Sequence, residues 1–212
     1  MNSLRHVSYL VGLAALCWFV MFFPSLKSND YFWLQMVLST GVLTGATLYL
    51  SGPEIKRQLT DWSKETPIGV VAAILLYAIF LAGFYLSTAM FMGAQGGISA
   101  VYSTRTQASP LVIGLLLFFW IGPAEEIFWR GFVQARLAKK YGPWRGYLYA
   151  SSLYTLVHIW SGNPMLIIAA LFCGFFWGGL YLWRQGLTAC LVSHALWDLS
   201  IFVLFPVVKM VN

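Results

Sequence analysis

The chain has 212 residues, of which 59% are apolar and only 9% are Asp, Glu, Lys or Arg, and its net charge is +6. A globular domain carries roughly 25% charged residues, so this composition cannot dress a water-facing surface and excludes an ordinary soluble fold. The positive charge is shared among several loops with no soluble module to carry it, which argues against a nucleic-acid partner.

Windows of about 20 apolar residues recur, each long enough to cross a hydrocarbon core of roughly 30 Å. In chain order the predicted helices are 7–24, 31–50, 68–91, 110–130 with a polar extension to about 140, 144–160, 164–183 and 187–207. Thr66-Pro67, Ser109-Pro110 and Asn163-Pro164 pair a capping residue with proline at the first helical position and mark starts. Pro24, Gly142 and Pro206 mark ends. The expected fold is an all-α polytopic membrane bundle of about seven transmembrane helices, within a range of six to eight, since the first segment and the 93–109 loop are hard to place. The first segment has a short basic start but no clear small-x-small cleavage site, and further spans follow it, so a retained helix is expected in place of a signal peptide.

Charge orients the bundle. With the N-terminus in the cytoplasm, the inner side receives ten positives: Arg5, Lys56, Arg57, Lys64, Arg130, Arg136, Lys139, Lys140, Arg145 and Arg184. The outer side receives three: Lys27, Arg105 and Lys209. The positive-inside rule therefore favours a cytoplasmic N-terminus. Cys17, Cys173 and Cys190 all fall inside predicted spans and read as small buried residues, not as a disulfide framework or metal cluster.

Asp30, Glu54, Asp61 and Glu65 belong to loops or helix ends, and His6 lies near the N-terminus, so these are read as solvated. Glu125, Glu126, His158, His194 and Asp198 fall within predicted helices. A charge in hydrocarbon costs at least about 2.5 to 3.5 kcal/mol, so such groups face one another or a water-filled cavity. Glu125 and His158 stand sixteen to seventeen residues on either side of the Tyr141-Gly142 turn. Both are therefore about 25 Å from the tip of one antiparallel hairpin and, allowing for a projecting tip, about 15 Å inside the cytoplasmic face. His194 lies about 13 Å beyond the final turn at Gln185-Gly186. His194 and Asp198 are four apart and share a helical face, as do Glu126 and Arg130. One glutamate is thus expected to point at the histidines while the other holds Arg130.

A carboxylate beside two imidazoles and a second carboxylate can take a proton from water and orient the nucleophile. The same residue types could ligate a divalent metal such as zinc, although the His-Glu-x-x-His pattern is missing. Serine chemistry finds no Gly-x-Ser-x-Gly elbow, and Ser193 points about 100° away from His194. A proton- or ion-coupled transporter is the rival from another class, with a structural polar network as the plain alternative. Trp129, Trp160 and Trp197 read as packing or interfacial aromatics.

At these residues the chain resembles the CPBP family, the CAAX-processing and bacteriocin-processing intramembrane proteases. Glu125-Glu126-Ile127-Phe128-Trp129-Arg130 matches its Glu-Glu-x-x-x-Arg motif. Tyr154-Thr155-Leu156-Val157-His158 looks like its Phe-x-x-x-His, with tyrosine for phenylalanine. His194-Ala195-Leu196-Trp197-Asp198 matches His-x-x-x-Asn/Asp. The resemblance covers roughly 108–205 and divides the chain into N-terminal helices without catalytic motifs (1–107) and a catalytic core (108–208) of one membrane domain. It implies an intramembrane endopeptidase of glutamic type. Glu125 is then the base that activates water, His158 and His194 position water and stabilise the oxyanion, and Asp198 helps orient the water. Glu126 and Arg130 support the site, and Tyr154, Trp129 and Trp197 serve as substrate or packing contacts. It further implies no tightly held metal or other cofactor, a membrane-associated peptide or protein as substrate, and a place in the bacterial cytoplasmic membrane with the site toward the cytoplasm. Some members act as immunity or binding proteins without catalysis.

Overall fold

The structure is a computed structural model, and the residues it describes are 2–22, 31–59 and 61–210. The expected end at Pro24 lies outside them, as do Lys27 and Asp30. Among the described residues every regular element is helical. We label them α1 (Asn2–Phe22), α2 (Phe32–Gln58), α3 (Trp62–Met90), α4 (Ala94–Tyr102), α5 (Pro110–Tyr141), α6 (Pro143–Val157), α7 (Pro164–Arg184) and α8 (Thr188–Leu204). Five of these, α1, α2, α3, α5 and α7, are long and apolar enough to cross a bilayer, and α8 is a shorter apolar helix. With α6 and its terminal 3-10 turn His158–Ser161, the long elements among the described residues number seven, compatible with the expected count. The chain is an all-α, multi-pass membrane bundle.

Helices α1 and α2 each bury one stripe of side chains. On α1 the buried side chains are Val7, Ala14, Trp18 and Met21, at steps of seven, four and three residues that keep one face inward. Tyr9, Leu16 and Val20 are exposed on the other side. The stripe of α2 runs Trp33, Thr40, Leu43, Thr47, Ser51 and Ile55. This helix bends at Ser51, whose φ of −151° is non-helical, just ahead of Pro53. A proline removes one helical hydrogen bond and crowds the preceding turn. Arg136 covers the break, bonding the Ser51 hydroxyl and the Leu50 carbonyl.

Three sequence expectations need correction. Thr66-Pro67 does not start α3. Asp61 caps it by accepting from the Ser63 amide at 3.1 Å, so the helix begins at Trp62 and Pro67 lies inside it. Those contacts, the Ser63 bond first and Lys64 next, hold the Asp61 carboxyl below its ordinary range. Glu65 is not solvated. It is 6% exposed and takes a two-pronged bond from Arg184 at 3.0 and 2.6 Å, tying α3 to the end of α7. The 93–109 segment is largely helical, with α4 followed by the 3-10 turn Ser103–Gln107.

The other two proline-marked starts are correct. Ser109 accepts from Val112 at 3.3 Å, and Asn163 accepts from the amides of Met165 and Leu166. Between α5 and α6, Gly142 turns the chain at φ +90°, a conformation that glycine adopts without steric cost. The Asn163 side chain also donates to the Gly97 carbonyl at 2.7 Å, so one residue both caps α7 and fastens α4 to it. Asn163→Ala is expected to cost about 1 kcal/mol for the cap and a comparable amount for the lost second bond. A denaturation midpoint in detergent, compared with that of Asn163→Asp, measures it: aspartate keeps the cap and loses only the donor to Gly97.

Candidate active site

The polar residues gather around the middle of α7. The Arg130 guanidinium, from α5, donates to the carbonyls of Cys173 and Gly174 at 3.3 and 3.2 Å, and the ring of Trp177 stacks on that of His194 at 3.6 Å. These positions are about ten residues from either end of α7, or roughly 15 Å at 1.5 Å per residue. The cluster thus lies at mid-height in the bundle, close to the depth that the hairpin count predicts. Its carriers are α5 for Glu125, Glu126 and Arg130, α6 for Tyr154 with His158 at its end, and α8 for His194 and Asp198.

The backbone of α5 is shaped for this site. Its pitch loosens from α to π over Leu117–Ile121, tightens over Gly122–Glu126, and loosens again over Ile127–Gln134. Such π turns are frequent at functional sites. Through the second of them every residue from Phe128 to Gln134 is buried. The close approach of α6 to α7 depends on Gly174: a Cβ there would stand 3.0 Å from the Tyr154 ring and 3.1 Å from the Ser151 carbonyl.

Glu126 is the hub. One of its oxygens, Oε1, accepts from Arg130 at 2.9 Å and lies 2.8 Å from Nδ1 of His194. The other imidazole nitrogen of His194 is 3.4 Å from Asp198. Arg130 is further held between aromatic faces, 4.9 Å from the centre of the Tyr154 ring and 5.6 Å from that of Trp177. The sequence expectation of one glutamate for the histidines and another for Arg130 is therefore only half met. Glu126 pairs with Arg130, as the four-residue spacing requires, and the same oxygen also takes the histidine.

Glu125 accepts a hydrogen bond from the Tyr154 hydroxyl at 3.1 Å. His158 does not touch Glu125 or His194 through a hydrogen bond. Its Nδ1 lies 2.8 Å from the Tyr154 carbonyl and its Nε2 accepts from the indole of Trp18 at 3.2 Å. Tyr154 therefore joins Glu125 to His158, by its hydroxyl on one side and its carbonyl on the other. Trp129 and Trp197 are buried packing residues: Trp129 sits edge-on to Tyr154, and Trp197 to Phe80 and Trp177.

Sequence reasoning misses Trp18, Trp177 and the carbonyls of Cys173 and Gly174. The signal for α7 is legible in retrospect, because Cys173, Gly174 and Trp177 share a face by their spacing of three and four. Trp18 could be found only as a member of the inward stripe on α1. Two surface grooves, one lined by Leu76, Ile79, Leu171, Phe172, Phe175 and Phe176 and the other by Leu137, Tyr141, Tyr149, Ser152 and Leu153, include none of the cluster's side chains.

Residues 106–200 match the family model described as type II CAAX prenyl endopeptidase Rce1-like. Over that segment, a little under half of its length, the chain is similar to the Rce1-like family. The match contains all three motifs and leaves α1 to α3 outside it. No curated protein and no solved structure matches the chain.

Among the described residues no three His, Cys, Asp or Glu side chains converge as ligands. Both nitrogens of His158 are engaged, and one carboxylate faces each nitrogen of His194.

Removing one partner of a buried ion pair leaves an uncompensated charge and costs about 3 to 5 kcal/mol. Arg130→Leu is therefore expected to reduce the folded yield sharply, whereas the double change Arg130→Leu with Glu126→Gln recovers much of it. Size-exclusion profiles and melting curves of the detergent-extracted proteins read this out, and a single variant as stable as the wild type would remove Arg130 from its bracing role.

Proposed function

We propose that the protein is an intramembrane endopeptidase in which Glu125 activates water to hydrolyse a peptide bond of a membrane-associated peptide or protein. The observation that carries this reading is the unequal exposure of the two glutamates. Glu126 is fully enclosed and committed to Arg130 and His194, while Glu125 keeps 6% of its surface exposed and takes its hydrogen bond from Tyr154. A general base must reach water, and of the pair Glu125 is the less enclosed.

In this reading Glu125 accepts a proton from water and the oxygen adds to the scissile carbonyl carbon. The resulting oxyanion takes one hydrogen bond, from Nε2 of His194, whose contact with Asp198 is a long 3.4 Å while Nδ1 stays on Glu126. Collapse breaks the C–N bond, and the proton held by Glu125 passes to the leaving amine. His158 helps position the water, and Asp198, with its side chain 14% exposed, orients it from the opposite side. Glu126 and Arg130 hold His194 in place. Water and side chains suffice for every step, so no metal or other cofactor enters the reading.

The distribution of positive charge supports a cytoplasmic N-terminus, with the Lys139, Lys140 and Arg145 hairpin tip on the inside. In a background without native cysteines, Lys139→Cys is expected to react with a membrane-impermeant maleimide only after the cells are opened, and Arg105→Cys in intact cells. The reverse pattern would invert the topology.

For the chemistry, Glu125→Gln keeps the shape and removes the base. Cleavage is expected to fall by at least about 100-fold, with the protein still folded in the membrane. Comparing membrane proteomes of cells carrying the wild type and Glu125→Gln identifies the precursors that accumulate. A purified Glu125→Gln enzyme that cleaves such a precursor at the wild-type rate would sink the assignment.

A further inference from the structure

His158 closes a helix, and that position sets the chemistry of its ring. The α6 helix ends at Val157, and the backbone amide of His158 turns toward the carbonyls of Thr155 and Leu156. The Tyr154 carbonyl, which an i+4 amide would take in a continuing helix, is thereby released. The imidazole takes it instead, with Nδ1 at 2.8 Å. A carbonyl can only accept, so Nδ1 carries the proton. On the far side of the ring the Trp18 indole, which can only donate, lies 3.2 Å from Nε2. Nε2 must then be bare. Two independent partners, from two helices, dictate the same neutral tautomer.

We propose that Trp18 is a positioning residue for His158, supplied by a helix outside the family-matched segment. Its N–H keeps the ring neutral, because an imidazolium offers no acceptor, and aims the Nε2 lone pair. With both nitrogens held, His158 acts on the site through Tyr154, whose carbonyl it binds and whose hydroxyl donates to Glu125. The surroundings fit a fixed donor. Trp18 is 1% and His158 8% exposed, and their rings meet nearly edge-on at 5.9 Å. Phe22, one turn beyond Trp18, packs against the same imidazole at 6.3 Å. Among the described residues no carboxylate bonds to His158: its ring is met by Trp18, Phe22 and Tyr154.

The consequence for catalysis rests on the endopeptidase reading, but the tautomer does not, so the two can fail separately. The test is a scalar coupling across the N–H···N hydrogen bond in 15N-labelled full-length protein in micelles. With only three histidines in the chain, the His158 nitrogens are assigned by difference from His6→Gln and His158→Gln. The expected result is a coupling between Trp18 Nε1 and His158 Nε2, and a neutral Nδ1–H pattern for that ring. In Trp18→Phe the coupling is lost and the ring signals of His158 shift or broaden. Cleavage of a precursor recovered from the Glu125→Gln cells drops about tenfold in kcat, the worth of one hydrogen bond, with KM within about twofold.

Absence of the coupling in the wild type overturns the proposal. So does a folded Trp18→Phe enzyme with wild-type kcat. Should Trp18→Phe fail to fold, Trp18→benzothienylalanine preserves the shape of the ring and lacks the N–H, and its kcat decides by the same criterion. If Glu125→Gln still cleaves while the coupling is present, the catalytic reading fails and the tautomer stands.

Discussion

A carboxylate that is fully enclosed within an apolar bundle is the constraint around which this structure is arranged. Moving an ion out of water costs several kcal/mol even after relaxation, and Glu126 is 0% exposed. Arg130, one turn later on the same helix, supplies the compensating charge, but its guanidinium has more donors than one carboxylate can use. The Cys173 and Gly174 carbonyls take two of them, and to reach these α5 must lie close to α7. The rings of Tyr154 and Trp177 both lie against the guanidinium. Each of those rings then carries a site residue with it: Tyr154 leads to Glu125 and His158, and Trp177 stacks on His194. Satisfying one buried charge thus draws the motif-bearing helices together.

Much of this arrangement is legible in the amino-acid sequence. Membrane character, the number of long helices and the starts at Ser109 and Asn163 follow from hydropathy and capping chemistry, which act within a few residues. The grouping of Glu125, Glu126, His158, His194 and Asp198 follows from the cost of charge in lipid. What escapes is whatever depends on a partner far along the chain. Glu65 looks like a surface residue in its own helix, and only Arg184, 119 positions away, makes it a buried ion pair. Thr66-Pro67 has the local form of a helix start, yet Asp61 offers the better cap five residues earlier and the helix runs through the proline. The sharing of one Glu126 oxygen between Arg130 and His194 could not be read from spacing, which treats each pair as a separate event.

The tyrosine of the second motif illustrates the same limit. As a sequence letter Tyr154 is an aromatic in a place where phenylalanine is usual, and the ring packs as phenylalanine would. Its hydroxyl adds a direct link to Glu125. The three sequence motifs and the family match lie within residues 106–200, but one ring nitrogen of the second motif's histidine is satisfied from α1. The boundary drawn by sequence similarity and the boundary of the working site are therefore different objects.

The loosened turns of α5 bear on how this segment can change in evolution. A π turn is an α-helix holding one residue more than its pitch requires, accommodated without breaking the rod. Deleting a residue between Ile127 and Gln134 would let the backbone relax to ordinary α geometry at little local cost, and hydropathy would hardly register the event. Side chains within the widened turn would nonetheless be re-aimed, carrying Arg130 or the Gln134 contact with Gly178 off the α7 face. Insertions and deletions here are thus cheap for the helix and ruinous for the alignment of the guanidinium, so the length of this stretch is under tighter constraint than its apolar composition suggests.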